Sequence, residues 1–163
     1  MRLLTALAGG LAGACALTML HQALKKADPD APHVDELGME ALSEGLETAG
    51  VEPPQGSKLY KWTLTGDIIA NTMYYSLAGI GSRTNTGGRA TFLGLLGGLG
   101  ALYLPRQMHL SEDFTNRTPR TQFLTAGLYT IGGMVAGTVM KLFSIGGGKK
   151  KKMKGMKKMK SGK

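Results

Sequence analysis

The chain has 163 residues, 42 % of them hydrophobic and 19 % charged, with a formal net charge of +9 and one cysteine. That length suits one compact unit, and a lone cysteine excludes an internal disulfide framework. The mean hydropathy of −0.06 hides a segregated chain. Nine of the 20 Lys and Arg lie in the last 15 residues, and eight of the 11 acids lie between Asp28 and Glu52. What remains is nearly uncharged. The 25 glycines sit mostly inside apolar runs, where small residues let membrane helices approach closely.

Residues 3–24 are 22 residues without a charge, ~33 Å as a helix and long enough to span. They contain Gly9-x-x-x-Gly13. A cleaved signal with Arg2 as its basic start is one rival reading. A lipoprotein signal is another, since Ala12-Gly13-Ala14-Cys15 resembles a lipobox. The apolar sequence continues through Leu20, beyond both cleavage points, so an uncleaved helix is preferred. Cys15 is then a small packing residue.

Residues 25–58 form a polar connection. Asp28-Pro29-Asp30-Ala31-Pro32 breaks the first helix. Residues 33–49 read as a short amphipathic helix, with Val34, Leu37, Leu42 and Leu46 on one side and Asp35, Glu36, Glu40, Glu44 and Glu47 over much of the rest. A solvated cap on the bundle is the favoured reading, and an acidic docking face for a basic partner is the rival. Gly50 and Pro53-Pro54 end the helix.

Residues 60–80 are the second expected span, with Tyr60 and Trp62 as aromatic anchors at its start. Asp67 is the only charged residue between Lys61 and Arg83. With Thr63, Asn71, Tyr74 and Ala78 it falls on one helical stripe. A charged acid within a membrane is costly, so it faces protein or water, or pairs with a cation. Two roles follow: a structural hydrogen-bond node, favoured because the other runs add no second acid, no lysine and no deep histidine, or a proton or cation site.

Residues 90–105 are the third run. Arg89 and Arg106 bracket only 16 residues, ~24 Å of helix, so a snorkelling span or a re-entrant element is expected, ended by Pro105. It carries Gly94-x-x-x-Gly98. A polar loop over 106–120 leads to Thr118-Pro119, which opens a fourth helix with residues 121–141 as its span and Gly133-x-x-x-Gly137 within it. A GxxxG in three of four runs signals close helix packing. Gly146–Gly148 read as a joint, and 149–163 as a disordered polybasic tail.

The expected fold is therefore an all-α polytopic helical membrane protein with about four transmembrane helices and GxxxG-type packing, in a single domain over 1–148. In the tail, Lys149, Lys150, Lys151, Lys152, Lys154, Lys157, Lys158 and Lys160 would contact anionic lipid headgroups and favour a cytoplasmic C-terminus in a cell (inner) membrane. The shorter loops alone bias the other way, so orientation rests on the tail. The tail has no aromatic residue, so any nucleic-acid binding would be non-specific. There is no nucleophile elbow, metalloprotease helix or phosphate loop. His21, His33 and His109 are scattered, so no metal site, cofactor or enzyme activity is expected. The leading expectation is a non-enzymatic membrane scaffold or assembly module, self-associating through its glycine faces into a homo-oligomer. The alternative is a small transporter or channel subunit using the Asp67/Asn71 pair.

Overall fold

A computed structural model describes residues 3–82 and 84–160, with side chains as far as Ser144. Arg2, Arg83 and 161–163 lie outside the described residues, as do the side chains of the lysine cluster. The described chain is all-helical. In order it forms α1 (Leu3–Ala27), α2 (Val34–Thr48), α3 (Ser57–Ser76), a 3-10 turn (Leu77–Gly79), α4 (Thr86–Gln107), a one-turn α5 (Asp113–Asn116) and α6 (Pro119–Lys160).

Two helical segments, Leu3–Ala27 and Pro119–Ser144, are long and apolar enough to cross a membrane; α3 and α4 do not reach that mark. Of the four helices expected to span, two meet that mark of length and composition. The cause is composition. α3 carries Lys58, Lys61, Asp67, Asn71 and four threonine or serine residues before Ser76, and α4 has an arginine near each end.

α6 is the central element, packed along α1 on one side and along α4 on the other. α3 lies against α1 and makes few contacts with α4. The tight pairs are built on glycine. A Cβ at Gly13 would lie 2.6 Å from the Gly132 carbonyl oxygen and 2.7 Å from Ala136 Cβ, and one at Gly9 would run into Met140. On the other side, a Cβ at Gly98 would stand 2.6 Å from Ala126 Cα, one at Gly94 2.6 Å from the Tyr129 carbonyl oxygen, and one at Gly137 2.9 Å from Ala90 Cβ. A Cβ at Gly133 would meet the Ala90 carbonyl oxygen and come within 3.0 Å of Gly94 Cα. All six motif glycines therefore face helices of their own chain. The outer surface is apolar on all four long helices: Leu7 and Leu11, Ile69 and Met73, Leu95 and Leu99, and Phe123 and Met134 are exposed.

The chain alternates direction. The segments 28–56 and 108–118 meet at one end, where the His33 amide donates to the Phe114 carbonyl (2.7 Å) and Glu40 accepts from the Ser111 amide and hydroxyl (both 2.9 Å). The turn before α4 lies at the other end, where Lys141 packs against Gly87. Arg89 closes that turn by donating from Nε and Nη2 to the Ala78 carbonyl (3.1 and 3.0 Å) and from Nη2 to that of Ser82 (2.7 Å). α4 thus runs the length of the bundle.

Pro105 does not end α4, contrary to the sequence expectation. The helix continues to Gln107. Proline has no amide hydrogen, so the Ala101 carbonyl four residues earlier loses its helical donor. The fully buried Thr115 supplies a replacement, donating its hydroxyl to that carbonyl at 2.8 Å. The helix stops two residues after Pro105, and two residues further on His109 adopts φ 61°. There the Leu110 amide returns to the Pro105 carbonyl (2.9 Å) and the His109 amide to that of Arg106 (3.3 Å), a Schellman closure with histidine where glycine is usual. α6 starts as read, with the Thr118 hydroxyl accepting from the Thr121 amide (3.1 Å) ahead of Pro119. Its backbone stays helical to Lys160, over the stretch expected to be disordered; lysine and methionine are good helix formers.

Candidate functional site

α3 ends against the body of the bundle because its far half carries Tyr74 and Tyr75. The Tyr75 ring is fully buried and its hydroxyl donates to the Tyr129 carbonyl at 2.8 Å, while Tyr74 donates to the Leu93 carbonyl of α4 at 2.7 Å. Ser76 adds a bond to the Ala6 carbonyl of α1 at 3.1 Å. Nearer α2, no side-chain hydrogen bond joins α3 to α4 among the described residues, and a gap opens between the helices.

The gap is a chamber of about 470 Å³, within the range of small-molecule sites (~300–1,000 Å³). α2 roofs it with Val34, Leu37, Gly38 and Ala41. Leu96, Gly97, Gly100 and Leu104 of α4 form an apolar wall. Most polar groups come from α1 and α3, with Thr18, His21 and Gln22 from the first and Thr63, Asp67 and Tyr74 from the second; Asp35 of α2 and Tyr129 of α6 complete the lining. Gly38 seats the roof, since a Cβ there would stand 2.6 Å from Thr63 Cγ2.

Asp67 is the charged centre of this chamber. Its Oδ1 accepts from Asn71 Nδ2 at 2.8 Å, one turn along α3, and its Oδ2 accepts from the Thr18 hydroxyl of α1 at 3.4 Å. Each oxygen thus has a neutral partner, and neither partner is a cation. One turn nearer the roof, His21 follows Thr18 on α1 and Thr63 precedes Asp67 on α3. Each is 8 % exposed, and His21 Nε2 and Thr63 Oγ1 have no hydrogen-bond partner among the described residues. The His21 ring stands edge-on to Tyr129, centroids 5.7 Å apart.

The structure thus brings Thr63, Asp67, Asn71 and Tyr74 together, with Tyr74 turned to α4. Sequence reasoning missed Thr18, His21 and Tyr129. The signal was there: His21 is the one ring-nitrogen side chain inside the first apolar run, and an ionisable residue in such a run marks a site by default. The expectation of no histidine deep in the bundle is therefore corrected, because α2 covers what would otherwise be the exposed end of α1. Among the described residues no three His, Cys, Asp or Glu are grouped to hold a metal ion.

The roof is fastened by the acids of its own helix. Lys25 at the end of α1 donates to both Asp35 oxygens (2.9 Å each) and to Glu36 Oε1 (2.7 Å), which also meets His33 Nδ1 at 2.9 Å. The hydrogen bond from Lys25 holds the Glu36 carboxyl below the usual carboxylate range. Arg120 pairs with Asp28 at 2.5 Å, and Arg117 bonds the Pro29 carbonyl. Asp35, Glu36 and Glu40 are thus engaged within the chain, leaving Glu44 and Glu47 exposed.

No protein family model matches this chain, and no curated protein and no solved structure shows significant similarity to it, so its function is read from the chamber alone.

Proposed function

We propose that the chain is a small integral membrane protein with four spans, α1, α3, α4 and α6, that works as a non-enzymatic binding or transport subunit for a small molecule held in the chamber at Asp67. Lipid-facing apolar side chains on all four long helices support the membrane setting. The two less apolar helices, α3 and α4, turn their polar groups inward or to the ends, where arginine and lysine stems can snorkel. The lysine tail favours a cytoplasmic C-terminus, in a cell (inner) membrane, with each lysine contributing about 1 kcal/mol at an anionic surface.

One observation carries the binding role: a chamber with an acid and two unpartnered buried polar atoms inside an otherwise apolar bundle. Buried polar groups without partners are costly, and a bound molecule supplies the missing ones. A scaffold that self-associates through its glycine faces has less support, because all six motif glycines are covered by the same chain.

The test is thiol access in bilayers. Gly100 lines the chamber, and a Cβ there would meet only Leu104 Cδ1, at 3.5 Å. With Cys15→Ala as background, Gly100→Cys should react with N-ethylmaleimide in the folded protein. Protection equal to that of a cysteine at the fully buried Thr125, with full reaction after unfolding, would remove the binding reading.

A further inference from the structure

The chamber has a chemical sign. Among the described residues, Asp35 and Asp67 line it and no lysine or arginine does. Lys25 is already bound to Asp35 and Glu36, whereas among the described residues Asp67 has only the neutral Thr18 and Asn71 as partners. α1 and α3 run antiparallel, and the Thr18–Asp67 bond fixes their register. His21 and Thr63 consequently sit at one level, on facing helices, a turn above the carboxylate. The two levels together offer three acceptors: the Asp67 carboxylate below and, above it, Thr63 Oγ1 and, in its neutral form, His21 Nε2. The two upper ones are nine-tenths buried and without a partner. An ammonium group has three N–H donors and a single positive charge, which matches this set in number and sign.

The α4 side of the chamber is apolar, and so is its mouth. Leu96 and Leu104 of α4 and Met108 just beyond it line the chamber, yet they are 44 %, 54 % and 58 % exposed. The opening therefore lies in the apolar belt, between the parted ends of α3 and α4, while α2 closes the polar end. A ligand entering here leaves lipid-like surroundings and brings its charged head to an acid.

We propose that the chamber binds an amphipathic primary ammonium compound, its head held by Asp67, His21 and Thr63 and its apolar body lying along Leu64, Leu96 and Leu104. This names the ligand class of the site and rests on the binding role proposed for it.

The experiment uses the full chain in nanodiscs of uncharged phosphatidylcholine and three probes of one shape: 3-phenylpropylammonium, 3-phenylpropanol and 3-phenylpropanoate. Equilibrium dialysis of each labelled probe, against empty nanodiscs, measures saturable binding. The ammonium should bind at least about tenfold more tightly than the alcohol, and the carboxylate should not bind saturably. Asp67→Asn should abolish the preference for the ammonium, and Asp67→Glu should retain it. Thr63→Val should weaken ammonium binding several-fold with little effect on the alcohol. Should Asp67→Asn fail to fold by circular dichroism, the Thr63→Val and Asp67→Glu comparisons decide alone. Equal binding of alcohol and ammonium overturns the ligand class and leaves the chamber as a site. Saturable binding of none of the three overturns the binding role as well.

Discussion

Thr115 offers the sharpest test of how this bundle tolerates a proline inside α4. Thr115→Val keeps the shape of the side chain and deletes one hydroxyl. That hydroxyl is fully buried and donates to the Ala101 carbonyl, whose normal donor is missing because residue 105 is proline. Leaving a buried carbonyl unpaired costs about 1–3 kcal/mol, so Thr115→Val should destabilise by that amount. Pro105→Ala restores an amide four residues after Ala101 and gives the carbonyl its helical donor back. In that background Thr115→Val should cost less than about 0.5 kcal/mol, the level of independent sites. The assay is reversible unfolding in mixed micelles with increasing dodecyl sulfate, followed by helical circular dichroism, for the wild type, both single variants and the double variant. An equal cost of Thr115→Val in both backgrounds would refute the reasoning. The Thr115 hydroxyl would then be contributing through something other than the carbonyl that Pro105 leaves without a donor.

The same unfolding assay checks four further expectations. Gly133→Leu should destabilise by about 1–3 kcal/mol or more, because the new side chain meets backbone of Ala90 and Gly94, whereas Gly127→Leu, with nothing within 4 Å, should be near neutral. His109→Gly should stabilise by about 0.5–1 kcal/mol by relieving a left-handed histidine; a loss of stability would show that the imidazole makes a compensating contact. Arg89→Lys should cost about 1–2 kcal/mol, since an ammonium cannot reproduce the fork over the Ala78 and Ser82 carbonyls. For pH, the Lys25 hydrogen bond holds Glu36 below its ordinary value, so its contribution is complete at neutral pH. It fades as pH falls from the ordinary carboxylate value through Glu36's own lower one. Glu36 is 37 % exposed, so screening limits the effect to less than about 1 kcal/mol. The difference between wild type and Glu36→Gln should shrink on acidification from pH 7 toward pH 3, values spanning the ordinary carboxylate range.

Much of the site was legible along α3. Thr63, Asp67, Asn71 and Tyr74 recur at helical spacing, and a lone acid between Lys61 and Arg83 stands out in any reading of the chain. The partners on α1 were not, because nothing local tells a helix which residue of another helix will face it. Thr18 and His21 looked like incidental polar positions in an apolar run until Thr18 met Asp67. Tyr129 was hidden for the same reason.

Local chemistry was enough for the helices themselves: unbroken apolar runs, proline and glycine at the breaks, acids clustered on the short helix between them. These signals act within a turn or two, so they can be read in one dimension. The course of α4 past Pro105 was decided elsewhere, by a hydroxyl ten residues downstream that replaced a missing donor. Glycine spacing promised close contact without naming the neighbour; only packing assigned all six motif glycines to contacts within the chain. Asp67 changed most. Along the chain it is an acid on a helical stripe, and its meaning depends on a space that exists only because Tyr74 draws α3 to α4 at one level while the two helices part at the next.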